Sequence, residues 1–161
     1  MRRVAAMPSI RTRPATPADR EFITSTAVRL AAFGPPPWRT PSEIVEPEVK
    51  ALEAFFVTPL PGSAMFVVED GRERLGFVLL ERRVDYFTGR PHGHVSIIAI
   101  SAAAEGRGAG TALMSAAEAW AREQGYGTLT LNVFGGNQRA RAMYERCGFQ
   151  VETLKYVKPL G

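Results

Sequence analysis

Three glycines at alternate positions, Gly106, Gly108 and Gly110, sit in the stretch "AAAEGRGAGTALM", where an alanine-rich run begins near Ala109. Glycine loses more conformational freedom on ordering than any other residue, so a cluster of it calls for a physical reason. A strand, a glycine turn and a helix start together make an anion seat. The first N–H groups of a helix have no internal partner and point along its axis, and the macrodipole adds partial positive charge there. Glycine lets a phosphate approach the backbone with no Cβ in the way. The chemistry is the seating of a phosphate or pyrophosphate, and a tight turn that only needs glycine dihedrals would use the same residues. Two known cradles fail on specific residues. A P-loop requires G-x-x-x-x-G-K-[ST], and no lysine lies here. A dinucleotide fingerprint requires a third glycine where Thr111 stands, and an acidic residue that the following "TLTLNV" lacks.

The other chemistry-bearing residues are few. Cys147 is the single cysteine, so no internal disulfide forms, which fits a reducing, cytoplasmic compartment. Nothing beside it in sequence would activate its thiol, and it reads as core. No metal is expected. Phe33, Trp38, Phe55, Tyr86 and Phe87 are candidate pocket walls.

These residues need elements to hold them. "IRTRP" alternates and predicts a first strand. Thr16 is an N-cap with Pro17 at the first helical position, and Phe22, Ile23, Thr26, Leu30 and Phe33 form a helical stripe. "GPPPWRTP" breaks that helix, and a second, irregular helix runs from about Ser42 to Val57. "AMFVVED" and "RERLGFVLLERRV" flank Asp70-Gly71, a hairpin signal. "HVSIIAIS" predicts a strand covered on both faces. After the glycine loop, Leu113, Ala117 and Trp120 mark one buried helix face, and Gly125 ends it. "TLTLNV" is a strand, Asn137 caps a helix over "QRARAMYERC", and "FQVETLKYVKPL" alternates as a closing strand. The result is one domain spanning residues 1–161, an α/β (α+β) fold with a mixed sheet and helices on its faces.

Composition sets the bounds. With 45% hydrophobic and 22% charged residues the chain has an ordinary globular balance. No apolar run reaches the ~20 residues of a membrane span, and the start "MRRVAAMPSIRTR" lacks the apolar core of a secretory signal; Met7 is an alternative start. The net charge of +4 permits an anionic ligand. Its arginines are scattered without interleaved aromatics, which argues against nucleic-acid binding.

The segment "IAISAAAEGRGAGTALM" resembles motif A of the GNAT superfamily, the acetyl-CoA-dependent N-acetyltransferases, in which [QR]-x-x-G-x-[GA] lies on a strand–loop–helix. Gly108 and Gly110 match, and Glu105 departs, standing where the family has Gln or Arg. "NQRARAMYERCGFQ" is similar to the downstream N-x-x-A-x-x-x-Y-x-x-x-G-F pattern at Asn137, Ala140, Tyr144, Gly148 and Phe149. "IRTRPATPADREFI" resembles the family's first strand and helix start.

The resemblance implies a mostly antiparallel sheet of about six to seven strands with about four helices. It implies acetyl transfer from acetyl-CoA to a primary amine of a small molecule or peptide, by direct attack in a ternary complex. A CoA-binding module of the same fold without transfer is the alternative. Ile98, Ala99 and Ile100 would pair with the pantetheine arm, and Glu105, Gly106, Arg107, Gly108, Ala109, Gly110 and Thr111 would surround the pyrophosphate. Glu105 is expected to point away from the phosphates, with Arg107 as a candidate cation. Asn137, Ala140 and Tyr144 would face the same co-substrate, and Tyr144 would protonate the departing thiolate. His94 holds the place where many relatives carry a catalytic Glu, with Glu81 as its rival and Asp85 and His92 behind them. Trp38, Phe33 and Tyr86 would wall the acceptor site, giving the acceptor an apolar or aromatic part. Homodimers are common in the family.

Overall fold

The computed structural model describes residues 9–161; the start through Pro8, including Met7, lies outside the described residues. Five strands form one sheet in the order β1-β2-β3-β4-β5. They are β1 (Ile10–Pro14), β2 (Ala64–Asp70), β3 (Glu73–Val84), β4 (Pro91–Ile100) and β5 (Leu129–Leu131). The first four form an antiparallel meander, and β5 joins β4 in parallel. The helices are α1 (Arg20–Thr26), α2 (Pro41–Val57), α3 (Ala109–Glu123) and α4 (Gln138–Arg146), with 3-10 turns at Pro17–Asp19, Ala27–Ala31 and Ala102–Ala104. Among the described residues no helix is long and apolar enough to cross a membrane.

The alternation of β3 explains the layering. Phe77 and Leu79 point to one face, where they pack with Ile23 and Leu52 of α1 and α2. Val78 and Leu80 point to the other, against Leu113, Met114, Ala117 and Trp120 of α3. All of these are buried, so β3 and β4 are covered on both sides, as an unbroken apolar strand requires. At the rim, fully buried Asp19 accepts two bonds from Arg13 (2.7 and 2.9 Å) and one from Arg74 (2.7 Å), joining β1 to β3. These guanidiniums hold its carboxyl well below the usual carboxylate range.

Local signals account for most boundaries. Thr40 caps α2 by accepting from the Glu43 N–H, and Glu43 answers by accepting from the Thr40 N–H at 2.8 Å. The expected irregular second helix is one continuous helix that contains Pro47. The hairpin loop is Gly71-Arg72, one residue later than Asp70-Gly71, with positive φ at Gly71 alone, as in a type II′ turn. Two expected features of the C-terminal part are corrected. The strand "TLTLNV" shortens to Leu129–Leu131, and "FQVETLKYVKPL" joins no ladder. Val151, Leu154, Tyr156 and Leu160 are exposed. Alternation supplies a face, but a strand also needs a paired edge, and β5 presents only three residues of it. The sheet therefore has five strands against the six to seven expected.

Candidate active site

The glycine seat forms where β4 hands over to α3. Gly108 is the N-cap of α3 with φ 83°, and Gly106 has φ 75°, both left-handed values that disfavour a side chain. A Cβ built on either would meet nothing within 4 Å, so the backbone here faces open space. Gly110 has a different reason. A Cβ there would lie 2.5 Å from Sδ of Met143, so this glycine lets α4 close onto α3 through a flexible thioether. Only the first two glycines are shaped as an open cradle.

Beside the seat, β4 parts from β5. The two strands pair only from Gly93↔Leu129 to Val95↔Leu131. Beyond that, Ser96 is an extra residue, because Leu80 pairs with Val95 while Leu79 pairs with Ile97. Such a bulge bends its strand and ends regular pairing. Ile98, Ala99 and Ile100 consequently have β3 on one edge and no strand on the other. That edge leads directly into the glycine seat.

α4 packs on the α3 side of the sheet, with Met143 against Gly110 and Tyr144 in the core. Asn137 caps it by accepting from the Ala140 N–H at 3.3 Å. Tyr144 is buried in the α3-side core, with Phe149 edge-on at a centroid distance of 6.1 Å. Burial pushes its phenol up to about 12, so it keeps its proton through the neutral range. Cys147, three residues on at the C-cap of α4, is half-buried and serves the same core.

On the opposite face of the sheet the register assembles a titratable cluster. Glu81 sits directly across from His94, and Arg83 across from His92. Residues paired across strands and residues two apart share a face, so all four project together toward α2. His94 is buried. Its Nδ1 lies 2.7 Å from the Thr130 hydroxyl, which donates onward to the Gly93 carbonyl at 3.5 Å. That chain places the ring proton on Nδ1 and leaves the Nε2 lone pair to accept. Burial first, then the Arg83 charge, lowers the imidazole to about 4, so it is neutral near pH 7. Glu81 holds Arg83 at 3.1 Å. His92 Nδ1 is buried without a hydrogen-bond partner.

A further carboxylate that no motif marks completes this cluster. Glu48 of α2 is half-buried, and burial followed by the Glu81 charge raises its pKa. The sequence carried a signal for it. Ile44, Glu48 and Leu52 are spaced by four, and the two apolar members are buried, so the carboxylate lies on the inward stripe of its helix.

The remaining residues separate into those near the split and those away from it. Phe33 stacks on Phe134 at 5.2 Å, linking the turn after Ala31 to the loop after β5. Trp38 is 45% exposed and Tyr86 92% exposed. Tyr86 lies beyond the Val84↔Pro91 pair that ends the ladder, edge-on to Phe87 at the loop tip, and nothing there encloses it as a wall. Phe55 packs in the α2-side core. Asp85 accepts from the Phe87 N–H (2.9 Å) and the Thr88 hydroxyl (3.1 Å), which fixes the β3–β4 turn and lowers its pKa. Arg107, the expected cation, turns instead to the hairpin, bonding Glu73 and Asp70 at 3.1 Å. Glu105 pairs with Arg29 and Arg139, two arginines that the motifs do not single out. Two open surface depressions, one beside Arg20 and Glu53 and one beside Leu129 and Phe149, lie outside the titratable cluster. No group of three metal-ligating side chains occurs among the described residues.

This arrangement matches known proteins at two levels. The Acetyltransferase (GNAT) family profile covers residues 30–149, and the chain belongs to that family. A putative acetyl transferase from Pyrococcus furiosus superposes with a TM-score of 0.75 at 23% identity, covering 94% of this chain and 100% of that one. The aminoglycoside N-acetyltransferase AAC(6')-Iy in complex with CoA superposes with a TM-score of 0.73 at 16% identity, covering 97% and 98%. Mycothiol acetyltransferase of Propionibacterium freudenreichii subsp. shermanii is 43% identical over 63 residues, 39% of this chain and 20% of that protein. The chain thus spans about a fifth of the length of the curated relatives it matches.

Proposed function

We propose that the chain, acting as one domain, transfers the acetyl group of acetyl-CoA to a primary amine of a small molecule or peptide, by direct attack within a ternary complex. One observation carries this reading. The free edge of β4 at Ile98–Ile100 runs straight into the open seat at Gly106 and Gly108. A ligand with an amide-bearing arm and a pyrophosphate head fits that sequence of features. The arm would add hydrogen bonds to the strand edge, and the head would meet unpaired N–H groups at the start of α3. The CoA held by AAC(6')-Iy, a neighbour in fold, supports the same choice of ligand.

The chemistry follows from the groups on either side of the split. A primary amine arrives as ammonium, near pKa ~10, and must lose a proton to attack the thioester carbon. Glu81 and Glu48 supply carboxylates for that proton, with His94 Nε2 able to relay it through water. A backbone N–H of Ile98–Ile100 would polarise the carbonyl. Tyr144, still protonated at neutral pH, would return a proton to the sulfur as the C–S bond breaks. The C–N bond forms as the C–S bond breaks; the second proton lost by the nitrogen restores the Tyr144 phenol, the first passes from the base to solvent, and CoA leaves as thiol.

The test measures thiol release from acetyl-CoA with a panel of amines, for the wild type and Tyr144→Phe. Amine-dependent release that falls at least tenfold in Tyr144→Phe, with unchanged CoA binding, supports transfer. CoA binding with no turnover on any amine would favour the non-catalytic module instead.

A further inference from the structure

A carboxylate at the rim of an anion seat is the one residue in the loop that opposes the ligand proposed for it. Its surroundings give it a role. Glu105 Oε2 receives Arg139 Nη1 at 2.8 Å, from the first turn of α4. Its Oε1 receives Arg29, from the 3-10 turn at Ala27–Ala31. Arg29 is itself steadied by donating from Nε to the carbonyl of Ile100 at 3.3 Å, the last residue of β4. The two guanidiniums therefore converge from opposite sides of the β4–α3 turn onto one carboxylate. Glu105 is three residues ahead of Gly108, so the convergence lies at the mouth of the open cradle. Arg107 is committed to Glu73 and Asp70. Arg29 and Arg139 are thus the cations gathered at this turn by the loop's own acid.

We propose that Glu105 is an internal stand-in for a ligand phosphate. Its carboxylate holds Arg29 and Arg139 at the seat before CoA binds, and a phosphate of CoA takes over their hydrogen bonds on binding. The chemical match is close, since carboxylate and phosphate both accept forked N–H donors from guanidinium. The exchange keeps both arginines ordered in the free chain, and it makes the ligand displace an anion. Glu105 consequently sets the affinity of the seat and its response to salt. With Glu105 in place the trio carries one net positive charge; without it, two. A phosphate would then meet a stronger field and no competitor. This inference rests on the CoA reading above.

The experiment is titration calorimetry of CoA, and of pantetheine as the phosphate-free control, at low and high salt. Glu105→Gln is expected to bind CoA about fivefold more tightly at low salt, with a steeper loss of affinity as salt rises. Pantetheine binding should not change. Arg139→Gln breaks the same pair from the other side and should weaken CoA severalfold, again sparing pantetheine. Adding Arg29→Gln and Arg139→Gln to Glu105→Gln should erase the gain. An unchanged or weaker affinity in Glu105→Gln, while the wild type binds CoA, overturns the stand-in and leaves the acetyltransferase reading untouched. A wild type that binds no CoA overturns both. Far-UV circular dichroism of each variant, with the unchanged pantetheine affinity, separates these results from unfolding.

Discussion

The two halves of the site are built from different materials. The proposed seat at Gly106 and Gly108 is backbone: left-handed glycines, unpaired helix N–H groups and a free strand edge. The proposed acceptor side is made of side chains, with His94, Glu81 and Glu48 delivered by two strands and a helix far apart in sequence. A backbone site can be encoded locally, since glycines at the right positions permit the left-handed dihedrals it needs. A side-chain site depends on register and packing, so one residue of slippage would turn Glu81 and His94 to the other face.

Substitutions can break this contrast, and the largest effects should fall where chemistry and seat meet. Tyr144→Phe should lower kcat about a hundredfold while CoA affinity stays the same. A matching loss of CoA affinity would place Tyr144 in binding and not in proton transfer. Gly108→Val forces a β-branched residue to φ 83° and puts methyl groups into the cradle. CoA affinity should fall about thirtyfold or more, whereas Gly110→Ala, which asks Met143 only to turn aside, should cost less than about threefold. Equal losses at the two glycines would erase the distinction between cradle and packing.

On the side-chain half, Glu81→Gln and Glu48→Gln should each reduce kcat/KM about tenfold with CoA binding intact. If neither matters and His94→Gln abolishes turnover, the proton leaves by the imidazole. The smallest effect concerns stability. The folded imidazole gives up its proton near pH 4, against about 6.5 when unfolded. Between those values the unfolded chain binds the extra proton, so stability rises with pH through this window and is fully present above it. Acidification from about 6.5 toward 4 should therefore lower the Tm of the wild type more steeply than that of His94→Gln, as thermal unfolding across that range would show. Parallel slopes would mean that His94 is not held neutral by burial.

Much of the architecture was legible because its signals are local. Asn137, Gly125 and the Thr16-Pro17 pair mark helix ends through their own hydrogen-bonding and dihedral preferences, and α3 shows its buried face in Leu113, Ala117 and Trp120. The closing strand was misread for the complementary reason. Its alternation is real, but pairing is a property of the neighbour, and β5 offers three residues. The direction of Arg107 was illegible for a similar reason: the hairpin acids Asp70 and Glu73, more than thirty positions away, hold its guanidinium.

The open glycine turn, the helix after it, the Asn137–Tyr144 helix and the family they resemble are readable from the residues alone, because each is set within a turn or two of chain. It takes the folded molecule to show that β4 parts from β5 after Val95, that Glu48 joins Glu81 and His94, and that Glu105 is clasped by Arg29 and Arg139. Those contacts join residues tens of positions apart. Their partners are chosen by strand register, helix packing and charge in three dimensions, which no short window of sequence contains.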